Sequence, residues 1–554
     1  MKPRIPAVLA VACALMIQVF ASVAGGSEIP LLDAAEIGRL HRPVTTQSPQ
    51  AQRYFDQGLA LLYSFDHDNA IRSFQEAARL DPACAMAWWG VAVACGPHIN
   101  FPMVTPARAQ LAWTALEQAS RHAARGTPLE RELIAAQAKR FAQTPPADRR
   151  PLDEAYADEM RRLWAAHPGD ADIGVLFAEA MMNLRPWDLW QSDGSPHPGT
   201  AEIVATLAAV RKLAPDHPQA MHLTIHALEA SPSPGGARAA ADQLRRRQPG
   251  LGHMVHMPSH FDVLVGQWEE AVVANDLAVK ADRATRERFG EPRGMLWLYM
   301  GHNRHMLAFA AMMTGRSQLA LSHMDALLAE LPQDDAWRAD WGFLQDYFGP
   351  MRLEALVRFG RWDEVLAAPE PAESLPVSRT LRHAARAIAY AAKGRTADAR
   401  REQAAFVAAR ARVPAEAFFG NNHGATVFDV AEAMVDGEIL FREGRQDEGL
   451  ARLREGVQRE QKVRYNEPPD WIIPVRHALG AALMTAGRYK EAEQVFREDL
   501  RKWPDNGWSL FGLARTLRQL GRAAEAEPVE ASFRRVWAKA DIELMSSCLC
   551  LPGT

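Results

Sequence analysis

Small and bulky residues recur along this chain in a fixed 34-residue rhythm, and that rhythm excludes most folds. Tyr54, Gly58, Leu61, Ala70, Phe74, Ala77 and Pro82 fall at positions 4, 8, 11, 20, 24, 27 and 32 of one such unit. A unit with this pattern is two antiparallel helices, A then B. Small residues at positions 8 and 20 let the helices approach closely, and Pro at 32 stops helix B. The next unit keeps step with Trp88 and Ala92. Gly266, Gly315, Gly360, Gly394, Gly444, Gly487 and Gly521 mark the A-to-B turns of later units. The last two units are the clearest, with Leu479, Gly480, Leu483, Ala492, Phe496 and Pro504, then Leu513, Ala514, Leu517 and Ala526.

This is the tetratricopeptide-repeat (TPR) pattern, and about twelve helix pairs fit between residues 51 and 545. Each unit buries its apolar face against its neighbours. The expected fold is therefore all-α, one TPR-type α-solenoid rather than separate domains, with no strand signal. The register loosens in the first half. Helices are expected at about 106–124, 128–142, 152–167, 170–184 and 200–214, and the insertion from Arg185 to Gly199 holds Trp187-Asp188-Leu189-Trp190. Two later breaks, at 420–424 and 465–471, read as packed connectors or binding loops.

Residues 1–24 read as a secretory signal, with Lys2 and Arg4, an apolar run from Ile5 to Val23, and the small-residue site Ser22-Val23-Ala24. Residues 25–50 read as a linker or arm, and 546–554 as a C-terminal tail. The expected location is periplasmic or secreted. No membrane span is expected after signal removal, because no later segment is long and apolar enough. The formal charge of −4, without a basic block, argues against nucleic acid as a partner. Cys84 and Cys95 are too far apart along one helix to bridge. Cys548 and Cys550 read as part of a frayed terminus, with a metal or redox role as the alternative.

Seven of the 18 histidines fall between residues 218 and 312. In a TPR array the A helices line the concave surface, and positions 2, 5, 9 and 12 form the stripe that faces it. His222, His226 and Glu229 occupy positions 5, 9 and 12 of one unit. His253, His256 and His260 occupy 2, 5 and 9 of the next, and His302 and His305 occupy 2 and 5 of the third. A helices packed about 8–10 Å apart bring such side chains together.

Imidazole is the commonest protein ligand for Zn, Cu, Fe and Ni. The i,i+4 pairs His222/His226 and His256/His260 place two rings on one helix face, a spacing that grips one ion. Seven histidines exceed the needs of one tetrahedral ion, so either two ions bind or some rings serve in support. Glu229 is the candidate catalytic group, as general base, and alternatively a ligand or a partner that orients ligands. Glu179, Trp187 and Asp188 are candidate substrate contacts beside the site. Pro258 is expected to bend the second A helix. His98, His323, His383, His423 and His477 read as structural.

The function expected from these residues is metal-assisted oxidation or hydrolysis at a transition-metal site, with Cu, Fe or Zn as the ion. The alternatives are a non-enzymatic scaffold and a metal buffer or chaperone. The partner is a peptide, protein or small molecule in the concave groove. The chain has no phosphate loop, no G-x-S-x-G, no dinucleotide fingerprint and no H-E-x-x-H.

Two stretches resemble a known family. The run His222-Leu223-Thr224-Ile225-His226-Ala227-Leu228-Glu229-Ala230-Ser231 is similar to its H-x3-H-A-x-E-A-S element. The run His253-Met254-Val255-His256-Met257-Pro258-Ser259-His260 is similar to its H-x2-H-M-P-S-H element. The Trp187–Trp190 loop, His302-Asn303-x-His305 and Glu467-Pro468-Pro469-Asp470-Trp471 are similar too. The family is one of exported bacterial TPR proteins. More distantly the chain resembles tetratricopeptide repeat protein 38 of animals and StaR-like proteins of antibiotic clusters. The resemblance covers most of the chain after residue 50 and implies the repeat fold and the histidine site, but no particular reaction.

Overall fold

The computed structural model describes residues 29–550, so the expected signal segment 1–24 lies outside the described residues. Helices follow one another in antiparallel pairs, from Pro49–Tyr63 with His67–Leu80 to Gly507–Gln519 with Ala523–Val536. Most helices pack on their sequence neighbours, giving the all-α TPR-type solenoid. The less regular first half contains Pro106–His122, Pro128–Ala138, Arg150–Ala166, Ala171–Asn183 and Thr200–Leu213. Local chemistry sets several starts. Thr127 accepts from the Glu130 N–H while Glu130 reaches back to the Thr127 N–H, with Pro128 in the first turn.

The small residues of the rhythm have a definite packing role. The Phe74 ring is clamped between Gly58 of its own repeat and Gly90 of the next. A Cβ would stand 2.7 Å from the ring at Gly58 and 2.4 Å at Gly90. Phe496 is held the same way by Gly480 and Gly512, where a Cβ would stand 2.3 Å away at each. Position 8 is thus half of a clamp, whose other half is a glycine at position 6 of the following helix A. The A-to-B turns use left-handed backbone, as at Gly487 (φ +71°) and Gly521 (φ +74°), which glycine adopts without steric cost.

Three expectations need correction. First, there is some strand: Phe418–Phe419 pairs antiparallel with Asn422–His423. Gly420 at φ +62° makes the tight turn between them. Second, Cys548 and Cys550 are buried and joined by a disulfide, so the tail as far as 550 is anchored rather than frayed. Cys84 and Cys95 are free and buried. Third, the array does not restrict each repeat to its neighbours. The Trp268 indole donates to the Pro504 carbonyl (2.9 Å), and the Trp508 indole donates to the Met312 carbonyl (2.8 Å). Both rings are buried, and each satisfies its one N–H on distant backbone, the arrangement that lets an indole contribute its full apolar area. Near the other end, Phe65 packs on His222 with ring centroids 4.5 Å apart. The superhelix curls until its ends cover the middle, and the inner face of the A helices becomes interior.

Gly480→Ala is expected to destabilise the chain by about 1–3 kcal/mol through overpacking against Phe496, despite alanine's better helix propensity. Thermal unfolding followed by circular dichroism checks this; a melting temperature equal to or above that of the parent contradicts the clamp.

Candidate metal centre

Three successive elements carry the histidines. Helix Pro218–Leu228 holds His222 and His226, with Glu229 as its C-cap. The second A helix is split by Pro258 into Gly252–His256 and Pro258–Leu264. Proline has no N–H to continue the ladder, and the break turns His260 towards its neighbours. Helix Leu296–Met313 holds His302 and His305. All of these side chains are buried except His302, which is half-buried.

Their hydrogen bonds fix which ring nitrogen carries the proton. His256 Nδ1 lies 2.6 Å from Asn275 Oδ1. The Asn275 amide nitrogen donates to the Ala271 carbonyl, so its oxygen must face the ring and His256 Nδ1 must be the donor. His260 Nδ1 lies 2.9 Å from Glu229 Oε2, and His226 Nδ1 lies 3.0 Å from Glu229 Oε1. His222 Nδ1 lies 2.9 Å from the Tyr63 carbonyl. In four rings, then, Nδ1 is held by an oxygen and Nε2 faces the centre. Burial would push His260 down, but the Glu467 and Glu229 carboxylates raise it to about 10, so with no metal bound it is the imidazolium. The Nε2 atoms converge. His256 Nε2 is 2.6 Å from His260 Nε2, which is 3.3 Å from His302 Nε2. His222 Nε2 is 3.1 Å from His253 Nε2, and His226 Nε2 is buried without a partner.

Three overlapping sets of donor atoms result, each within 4.8 Å: His222/His226/His253, His226/Glu229/His260 and His256/His260/His302. Each set can hold a metal ion. Burial, and then the neighbouring imidazoles, pushes His222, His253, His256 and His302 well below the ordinary histidine range, so these rings are neutral. Burial would also push Glu229 up, but the His226 and His260 imidazoles reverse this and keep it ionised.

A second carboxylate was not expected. Glu467 is buried and touches His260 Nδ1, the nitrogen that Glu229 already engages. Nδ1 carries one proton at most, so it cannot serve both acids. Burial, and then the Glu229 charge, pushes Glu467 up. The two later sequence breaks place it there together. Asn422 Nδ2 donates to Asp470 (2.6 Å), Asn421 Nδ2 to the Tyr465 carbonyl (3.1 Å), and Asn466 Nδ2 to the Tyr347 hydroxyl (3.0 Å). The hairpin thus locks the loop that presents Glu467. Asn275, the Tyr63 carbonyl and Phe65 are further participants that repeat numbering does not reveal.

Other candidates stand apart. His305 has no partner on either nitrogen and packs edge-on against Tyr347 and Phe348, outside the three donor sets. Trp187, at φ +57°, packs edge-to-face on His226 with ring centroids 5.4 Å apart and donates to Asn100 Oδ1 (3.1 Å). With Ile99, Met182 and Arg185 it lines a recess ending at His226 and Glu229. Asp188 faces Arg185, His197 and Arg464 instead. Glu179 lies in a different recess with Arg140 and Tyr156, accepts from Gln219 (3.3 Å), and is pushed up to about 7 by burial.

Tetratricopeptide-repeat family models match residues 55–95 and 483–529. No curated protein matches the chain. Among solved structures, similarity is found to the human IFIT1 dimer with m7Gppp-AAAA, at 12% identity over 89% of this chain and 92% of that one (TM-score 0.33). The APC/C hetero-tetramer Cut9–Hcn1 is similar at 12% identity, over 96% and 82% (TM-score 0.30). Yeast Tom70 is similar at 10% identity, over 88% and 90% (TM-score 0.28). TPR arrays build extended binding surfaces, the properties of an interaction scaffold. Among the described residues no helix is long and apolar enough to cross a membrane.

Burial holds His305 at about 3, below its ordinary 6.5. The unfolded chain takes up a proton here that the folded chain refuses, so this stability is complete above the ordinary value and is lost as pH falls towards the folded one. In urea unfolding of chelator-treated protein below about pH 6, His305→Leu is expected to flatten the acid loss by up to ~1.4 kcal/mol per pH unit. An unchanged slope contradicts a neutral His305.

Proposed function

We propose that the protein is a TPR-type scaffold built around a transition-metal centre, and that it works as a metal-dependent oxidoreductase or hydrolase. One observation carries the reading: His256 and His260 face each other through Nε2 atoms 2.6 Å apart while both Nδ1 atoms are committed to oxygen acceptors. A pair at that distance needs positive charge between or beside it, which a proton on His260 supplies when no metal is bound and a metal ion supplies when it displaces that proton. Glu229, engaging the Nδ1 of both His226 and His260, fits the carboxylate that orients metal-bound imidazoles better than it fits a free general base.

His256, His260 and His302 make one set of ligands and His222, His226 and His253 a second, which supports a centre of two ions. All-imidazole donors suit Cu, Fe or Zn. Cu or Fe supplies electron transfer, and Zn supplies polarisation of a carbonyl or water. The recess under Trp187 is lined by His226 and Glu229 and has room for about one water beside the centre. We also infer export, so that the centre works in the periplasm or outside the cell; an apolar run bounded by a small-residue site supports this.

The matched repeats favour a second reading, a scaffold for an envelope protein or peptide, or a metal store. Against a plain peptide groove stands the burial of the expected groove positions.

Elemental analysis of the purified chain beside His256→Ala/His260→Ala tests the reading. One or two ions per chain are expected in the parent, with loss from a variant that keeps its helical spectrum. A parent that stays empty, and whose stability does not respond to Zn, Cu or Fe, returns the site to the scaffold reading. Asn275→Leu removes only the acceptor behind His256 and is expected to weaken metal binding about 10–100-fold. Titration against a competing chelator measures it, and unchanged affinity shows that the Asn275 bond does not orient a ligand.

A further inference from the structure

A second cluster lies away from the histidines, where the C-terminal tail docks on helix Gly424–Arg442. Cys548, Cys550 and Glu438 are all buried, with one donor atom from each inside a 4.8 Å circle. Glu438 is 1% exposed, and neither carboxyl oxygen has a hydrogen-bond partner. A buried polar group left without a partner costs several kcal/mol on the order of magnitude set by transfer from water. The Arg442 charge acts on Glu438 without a hydrogen bond to it, and the disulfide has no proton to donate.

The disulfide itself is weakly motivated as a staple. It joins residues separated by one position, and the gain from constraining the unfolded chain is smallest for the shortest loops. The tail has other anchors: the Arg442 guanidinium donates to the Cys550 carbonyl (2.6 Å), and the Ser547 hydroxyl donates to the His477 carbonyl (3.3 Å). The backbone of the tail is therefore held by contacts besides the bond between the two sulfurs.

We propose that Cys548, Cys550 and Glu438 form a redox-gated zinc site, separate from the histidine centre. A dithiol reductant opens it: the Cys548–Cys550 bond takes two electrons and two protons, and the dithiol becomes a disulfide. Zn2+ then replaces the two thiol protons and the proton that burial keeps on Glu438, all three leaving to solvent, and the Glu438 carboxylate supplies the third ligand. Two thiolates with one oxygen suit zinc, which accepts sulfur and carboxylate in one tetrahedral set. The fourth position remains for water. A disulfide oxidant reverses the sequence: it takes the two thiolate electrons and two protons from solvent to become a dithiol, the Cys548–Cys550 bond closes, and Zn2+ leaves.

Cobalt reports on this site without interference from imidazole, because only thiolate ligands give an intense near-ultraviolet charge-transfer band. The full chain is titrated with Co2+ after reduction and, separately, oxidised. A band in the reduced protein that saturates at one bound Co2+ per chain more than the oxidised protein takes up, absent in the oxidised protein and removed by Zn2+, is the expected result. The band should disappear in Cys548→Ser, and Glu438→Gln should weaken Co2+ binding at least tenfold with an unchanged helical spectrum. A reduced parent without the band overturns the proposal, and this arm does not depend on any variant folding. A band that survives in the double variant Cys548→Ser/Cys550→Ser comes from thiolates elsewhere in the chain and also overturns it. Full affinity in Glu438→Gln removes the carboxylate from the site and overturns the ligand set.

Discussion

Imidazole nitrogens brought within hydrogen-bond distance of one another need a cation, a proton or a metal, among them, and this protein invests much of its interior in gathering several. Each ring at the centre is turned by something behind it: Asn275 behind His256, Glu229 behind His226 and His260, the Tyr63 carbonyl behind His222. Those partners come from a helix B, a helix terminus and the end of a distant helix. The rings can hold their direction only because the array curls tightly enough for all three to arrive. Take away the curl and the histidines return to being ordinary polar residues along a groove.

The curl also accounts for the chemistry of the surroundings. Phe65 packs on His222 and His253, and Tyr299 packs on His253. Low dielectric keeps most of the imidazoles neutral, as ligands must be, and makes the two acids near His260 costly to ionise together. One carboxylate stays charged and the other is pushed up, an asymmetry fixed by which of them has two rings to serve.

Much of this was legible in the sequence. The 34-residue rhythm located the helices, and numbering within it placed His222, His226, His253, His256, His260 and His302 on one stripe. Repeat logic works here because side-chain direction follows helical phase, whatever the superhelix does at large. It failed for His305, which shares the stripe but turns to Tyr347 and Phe348 where the helix passes the core. It failed for Glu467, since a loop has no phase to count. The Glu467–Trp471 run stood out by its prolines and tryptophan, but only tertiary contact through Asn422 and Asp470 tells where it lands. Closure by Trp268 and Trp508 was invisible for a related reason. A repeat pattern reports nearest neighbours, and these indoles reach beyond them.

The order of the parts along the chain has a consequence for biogenesis. The histidines lie within one contiguous stretch, whereas Glu467 and the Trp508 clasp belong to the last repeats to leave the ribosome. Contacts so distant in sequence form late. The growing chain therefore passes through a stage in which the ligands can assemble while still uncovered, and the final repeats then act as a door that shuts behind whatever has been loaded.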